Sequence, residues 1–210
     1  MSRPASLSAA KGSNAFSVRA MVVTAMLSAV AFILMFFEFP IPALIPSFVK
    51  LDISDLPELL AAFALGPIHG VVVSFLKNLL HIVIKGTSSN YVGELFNFTM
   101  GAVFALTAGI IYHRKKSRKT ALIGSLAGAA VMAVLSVPFN YFIVYPAYVV
   151  AYGMPMDAII GMYRAILPSS DSLIKCLAIF NMPFTFFKGM LDVLLCFLIY
   201  KPLSPILHKG

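Results

Sequence analysis

Lys77, Asn78, Glu94 and Asn97 lie inside stretches that are otherwise apolar enough for lipid, and so do Asn140, Asn181, Thr185 and Lys188. Ionisable and amide groups are costly in a bilayer interior, which makes each of them a candidate for function. Their chemistry is that of recognition. An amide offers paired donors and acceptors, a threonine one hydroxyl, and a lysine three donors on a point charge. The residue sets of familiar catalysis are missing: the sequence has no HExxH, no Cys and His cluster at metal-ligand spacing and no G-x-S-x-G elbow. It also has no G-x-x-x-x-G-K-[ST] phosphate loop, so any ATP-driven step needs another subunit. The expectation is a binding protein without enzymatic activity, cofactor or metal.

The elements that must hold these groups follow from composition. Of 210 residues, 60% are hydrophobic and 11% are charged, where a soluble domain carries roughly a quarter charged. The apolar residues come in runs matched to the roughly 30 Å hydrocarbon core. The net charge of +8 is not spread like a nucleic-acid-binding surface. Five basic residues sit together at Arg114, Lys115, Lys116, Arg118 and Lys119, Arg3, Lys11 and Arg19 precede the first apolar run, and Lys201 and Lys209 follow the last. By the positive-inside rule these segments are cytoplasmic. All eight acidic residues fall outside them.

The fold class predicted is all-α integral membrane, with six transmembrane helices, both termini cytoplasmic and an ordered outer loop between the first two. Residues 1–16 read as a flexible cytoplasmic tail, 17–203 as the transmembrane domain and 204–210 as a second tail. The first run, Val18 to Phe37, is long enough to span and lacks a signal-peptide cleavage pattern. Pro40, Pro42 and Pro46 then forbid regular helix, and the apolar content of the connection to Asp55 implies that it folds back onto the protein. A second helix is predicted to start at Asp55, its carboxylate capping free N–H groups, and to stop at Gly66-Pro67; at about 1.5 Å per residue it falls short of a full crossing and must be shielded by neighbours. Further helices are expected over 68–84, 91–112, 120–145 and 177–200. Cys176 and Cys196 are too far apart on one helix to form a disulfide.

With the helices threaded in this way, Lys77, Glu94, Asn97, Asn140, Asn181, Thr185 and Lys188 converge on the outer half of the membrane, beside the folded-back loop. The inner half is almost wholly apolar. A channel or proton relay needs polar groups all the way across, so the pattern predicts a cavity open outward and sealed below. Some of these groups have plainer explanations: Lys188 and Asp192 are four apart and can neutralise each other, Lys77 can pair with Glu94, and Asn140 can bond a carbonyl freed by Pro138. Aromatic residues flank the polar ones, Phe184, Phe186 and Phe187 around Thr185 and Lys188, and Phe139, Tyr141 and Phe142 around Asn140. Aromatic faces interleaved with amide and ammonium donors suit a flat, heteroatom-rich ring. On the first helix, Ala25 and Ala29 are small residues four apart, a spacing that lets another helix approach closely.

Several motifs in this order resemble the riboflavin-specific S components of energy-coupling factor (ECF) transporters. They are Ser28-Ala29-Val30-Ala31-Phe32, Phe39-Pro40-Ile41-Pro42, Lys50-Leu51-Asp52-Ile53-Ser54-Asp55-Leu56-Pro57, Gly66-Pro67-Ile68-His69-Gly70, Leu76-Lys77-Asn78, Asn140-Tyr141 and Pro183-Phe184-Thr185-Phe186-Phe187-Lys188-Gly189. The resemblance runs through nearly the whole chain after the N-terminal tail. It implies a six-helix subunit of a bacterial cell membrane that captures riboflavin with high affinity from outside, under a lid formed by the first loop. Its implied partners are a transmembrane coupling subunit and two ATPases. It further implies that Lys50, in the lid, joins Asn140, Thr185 and Lys188 at the substrate, and that Ala25 and Ala29 face the coupling subunit. Thr185 stands where the family pattern commonly has Asn, and Asn181, one turn away, is an alternative amide. Two other readings remain at this stage: an S component for FMN or another flat vitamin, and a membrane enzyme or structural membrane protein.

Overall fold

The computed structural model describes residues 17–87 and 89–208. The tail expected over residues 1–16, with Arg3 and Lys11, and the terminal Lys209 lie outside the described residues. The chain is predominantly helical: α1 Val18–Met35, α2 Leu56–Ala64, α3 Pro67–Lys85, α4 Val92–Arg114, α5 Arg118–Phe139, α6 Tyr145–Tyr152, α7 Met156–Arg164, α8 Leu173–Cys176 and α9 Met182–His208. Two short strands, β1 Phe39–Pro40 and β2 Lys50–Leu51, pair antiparallel within the first loop.

Five helical runs among the described residues are long and apolar enough to cross a membrane: Val18–Met35, Pro67–Lys85, Val92–Arg114, Arg118–Tyr152 and Leu173–Ile199. Between the first two lies α2, whose nine residues rise only about 14 Å. It is buried from Leu56 to Phe63, so its neighbours rather than its length keep its ends from lipid. Gly66 makes the reversal into α3 with φ of 124°, a conformation that side-chain-bearing residues rarely adopt.

The fifth run does not end at Tyr145 as its sequence suggests. It continues through a single π turn, Asn140–Val144, into α6 and stops at Gly153, which takes the left-handed conformation. A second π turn, Leu177–Asn181, joins α8 to α9. Between the helices predicted over 120–145 and 177–200, where no helix is expected, lies α7, in which Ile159, Ile160 and Tyr163 are buried. Period-3.6 burial of three residues in nine is a weak sequence signal, and the flanking Pro155 and Pro168 obscure it.

Two apolar clusters matter for the site. One joins α2, α4, α5 and α9 through Leu59, Phe63, Phe104, Ala129, Met132 and Val193. The other, at the opposite end from the basic 114–119 connection, joins the first loop to α6, α7 and α8 through Ile45, Tyr145, Ile159, Tyr163 and Leu177. Ile45 is fully buried there, so the first loop does fold back onto the helices.

Candidate functional site

At the end of the bundle away from the basic connection, a cavity of about 660 Å³ opens between the first loop, α4, the α5–α6 rod and α9. This is within the roughly 300–1,000 Å³ range of small-molecule sites. Lys50, Glu94, Asn97, Asn140, Asn181, Thr185 and Lys188 all line it. Residues up to 138 positions apart in sequence therefore converge on one cavity, and of the candidates only Lys77 and Asn78 stay outside its lining.

Those two lie elsewhere. Lys77 is fully buried behind the cavity wall, where its ammonium reaches Ser54 Oγ at 2.8 Å, Asp55 Oδ1 at 2.5 Å and Glu58 Oε1 at 2.6 Å. It does not pair with Glu94. That carboxylate instead accepts from the hydroxyls of Thr87 at 3.0 Å and Ser89 at 2.9 Å, with His81 Nδ1 at 3.4 Å. Asn78 turns away from the cavity and donates to Ser74 O at 2.8 Å.

The Asp55 carboxylate does not cap α2, although Asp55 occupies the N-cap position. It bridges two lysines, holding Lys77 through Oδ1 and Lys188 at 2.9 Å through Oδ2. Lys188 also reaches Asp52 Oδ2 at 3.1 Å. The pairing of Lys188 with Asp192 is likewise replaced: no ion pair joins them, and both Asp192 carboxylate oxygens are buried without a hydrogen-bond partner among the described residues. A charge four residues away on the same helix offers a weaker geometry than two carboxylates presented from a facing loop. Lys188 is thus a clamp between α9 and the loop segment 52–55, and its end is part of the cavity wall.

Asn140 opens the first π turn and donates to Ser136 O at 2.8 Å, leaving its side-chain carbonyl for the cavity. Asn181 closes the second π turn. π turns shift the register of the side chains beyond them and often mark functional sites; here they bracket the cavity from both sides.

The aromatic lining was only partly legible. Phe184 faces the cavity, but Phe142 and Phe187 are mostly exposed on the outer surface. The walls are formed instead by Phe48 of the loop, Phe96 of α4 and the tyrosines Tyr145, Tyr148 and Tyr152. The Phe48 ring lies edge-on to Tyr145 and Tyr148, with centroids 6.1 and 6.3 Å away. The i, i+3, i+7 spacing of the three tyrosines was the available signal, since it places them on one helical face.

At the mouth, Lys50 of β2 and Lys85 at the end of α3 both contact Glu38 Oε1, at 2.7 and 3.1 Å. Partial burial pushes the Glu38 carboxyl upward, but the two ammonium groups outweigh it and hold the carboxyl below its ordinary value. Beneath the cavity, Met100 and Met132 form the last lining layer. Both belong to the apolar cluster of α2, α4, α5 and α9. Ala25 and Ala29 are exposed on α1, on a face adjoining the buried Thr24, Ser28 and Ala31.

A cavity lined by amide, hydroxyl, ammonium and aromatic groups, at one end of a bundle of membrane-length helices, defines a membrane-embedded receptor for a small molecule. The chain matches the family model described as ECF transporter, substrate-specific component, over residues 19–200. It belongs to that family. It is 34% identical over 189 residues to the riboflavin transporter RibU of Staphylococcus aureus (strain TCH60), covering 90% of this chain and 92% of that protein. It is 33% identical over 194 residues to the riboflavin transporter FmnP of Bacillus subtilis (strain 168), covering 91% and 95%. A solved structure of the S component of a bacterial ECF transporter superposes with a TM-score of 0.69 at 32% identity, covering 91% of this chain and 98% of that one. These relatives are transporter components rather than enzymes.

Proposed function

We propose that this chain is the riboflavin-binding subunit of an ATP-driven ECF importer, taking its substrate at the outer face of the membrane. The observation that carries this reading is the cavity itself: amide, hydroxyl and ammonium groups of Asn140, Asn181, Thr185 and Lys188 beside aromatic walls. A tricyclic ring with an apolar xylene end and a hydrogen-bonding pyrimidine end needs both kinds of surface. The orientation rests on the positive-inside rule, which puts the 114–119 connection in the cytoplasm and the cavity mouth outside. Six crossings then follow with α2 as a short, protein-shielded one, and both ends of the chain are cytoplasmic.

The first loop acts as the lid. Its Ile45 anchor, the Lys50–Glu38 contact and the Lys188 clamp to Asp52 and Asp55 tie it at three separated points over the cavity. Ala25 and Ala29 form the close-approach face for the transmembrane coupling subunit, which brings the two ATPases. Because the base of the cavity is apolar, substrate leaves by reorientation of the whole subunit on that module rather than by passage through it.

The charges favour the neutral vitamin over FMN. Glu38, Asp52, Asp55 and Glu94 line the cavity against Lys50, Lys85 and Lys188, and among the described residues no arginine does. Each of those lysines already contacts a carboxylate, so a phosphate would meet no free cation and no bidentate clamp. Purification from riboflavin-replete cells tests the reading. A yellow preparation that releases riboflavin on denaturation is expected; a colourless one that also fails to quench added riboflavin fluorescence would refute it.

A further inference from the structure

Asn181 is held by two tyrosines in a closed ring. Its Oδ1 accepts from the Tyr163 hydroxyl at 2.7 Å, its Nδ2 donates to the Tyr145 hydroxyl at 3.2 Å, and the two hydroxyls bond each other. All three side chains are buried, Tyr145 and Tyr163 at 1% and 0% exposure and Asn181 at 5%. Each hydroxyl has one proton to give. If Tyr163 donates to the amide oxygen, then Tyr145 must donate to Tyr163, and Tyr145 is left able to accept from the amide nitrogen. With the amide oxygen on Tyr163 and the nitrogen on Tyr145, as the structure places them, the ring runs from Asn181 N–H to Tyr145, to Tyr163 and back to Asn181 Oδ1. One proton is left over, the second N–H of the Asn181 amide.

The three members differ in what they touch. Tyr145 and Asn181 line the cavity, whereas Tyr163 does not. It stands behind them on α7, packed against Phe180 with ring centroids 5.3 Å apart. With the amide oxygen drawn to Tyr163, the nitrogen end stays beside cavity-lining Tyr145, and the spare N–H is the group Asn181 can offer a ligand. Turned over, the same amide would present a carbonyl.

We propose that Tyr163, which touches no substrate, is a positioning residue that fixes Asn181 as a hydrogen-bond donor to the acceptor edge of the bound flavin. The proposal rests on the riboflavin reading given above. It also gives Asn181 the donor role that Thr185, with a single hydroxyl, cannot fill as an amide would. Loss of the Tyr163 hydroxyl removes the donor that holds the amide oxygen. The carboxamide is then free to turn its oxygen toward Tyr145, which replaces an attraction to a ligand acceptor with a repulsion.

The test is a double-mutant cycle on riboflavin affinity, read by fluorescence quenching over nanomolar to high-micromolar concentrations with the purified full chain. Tyr163→Phe in the wild-type background is expected to weaken binding about tenfold, the size of one neutral hydrogen bond at 1.4 kcal/mol per decade. In the Asn181→Asp background, which keeps an acceptor for Tyr163 but has no N–H, the same change is expected to matter less than twofold. Equal losses in both backgrounds would mean that Tyr163 acts through general packing, and an unweakened Tyr163→Phe or Asn181→Asp protein would mean that the donor is not used; either result overturns the proposal. A wild-type protein that binds no riboflavin would instead sink the functional reading on which it rests.

Discussion

Replacing Lys188 with methionine keeps the unbranched stem, one atom shorter, and removes the charge from a site where two carboxylates depend on it. Lys188 Nζ is 2.9 Å from Asp55 Oδ2 and 3.1 Å from Asp52 Oδ2, and the side chain is 14% exposed. Truncating one partner of a buried ion pair costs about 3–5 kcal/mol, because the other charge is stranded. Two features move the expected cost to the lower end. Asp55 keeps its contact with Lys77, and Lys188 lines a cavity that water can enter. A loss of about 3 kcal/mol in holding the 52–55 segment lowers the fraction of protein with a closed lid, and the apparent dissociation constant rises in proportion. At 1.4 kcal/mol per decade the affinity for riboflavin should fall about a hundredfold. Fluorescence titration measures the affinity, and hydrogen exchange over residues 41–55 measures the lid. Asp192→Asn is the matched control: its oxygens bond nothing among the described residues, so binding should stay within about threefold of wild type. A Lys188→Met protein with unchanged affinity and unchanged exchange would refute the clamp. A large loss in Asp192→Asn alone would restore the helix-internal pair.

Three further outcomes follow from the same geometry. Enlarging Ala25 and Ala29 to leucine on the exposed face of α1 should abolish uptake in cells supplied with the ECF module yet leave riboflavin affinity intact; lost binding would mean that the pair packs within the subunit. Glu38 lies under two lysines that depress its carboxyl below the ordinary value of 4.5, so the mouth contacts should be complete above that pH and fail as pH falls through the lowered value. Glu38→Gln should therefore speed riboflavin dissociation at neutral pH and remove the acid-induced speeding seen in wild type, measurable by stopped-flow exchange. Gly101 faces the Glu58 carboxylate and Ser74 Oγ so closely that an added Cβ would overlap both; Gly101→Ala should destabilise the protein by about 1–3 kcal/mol, read as a lower melting temperature in detergent.

Depth was legible in the sequence and direction was not. Run lengths and basic clusters located α1, α3 and α4 to within about two residues and undershot the last two runs, which continue to Tyr152 and His208, and threading them placed Asn140, Asn181, Thr185 and Lys188 at one level. They do line one cavity. Lys77 and Asn78 share that level yet face elsewhere, because rotation about a helix axis depends on packing partners that hydropathy does not reveal. The π turns at Asn140–Val144 and Leu177–Asn181 compound the problem, since each inserts a residue and rotates everything beyond it. Charge pairing was misread for a related reason. Local spacing offered Asp192 to Lys188 and the α2 N-terminus to Asp55, whereas the fold brings Asp52 and Asp55 from a loop more than 130 residues earlier in the chain. Tyr163 carries no sequence signal because it sits in a nine-residue helix that Pro155 and Pro168 disguise as a connection.

The central claim is that the cavity is a riboflavin site. Equilibrium titration of the purified, ligand-stripped chain with riboflavin and with FMN, followed by fluorescence quenching, tests it most directly. The account predicts saturation at one riboflavin per chain, competition by unlabelled riboflavin, and binding of FMN at least tenfold weaker at neutral pH, since its phosphate meets only cations already engaged by carboxylates. FMN binding as tightly as riboflavin would contradict the charge reading of the cavity, and no saturable quenching by either flavin would contradict the account as a whole.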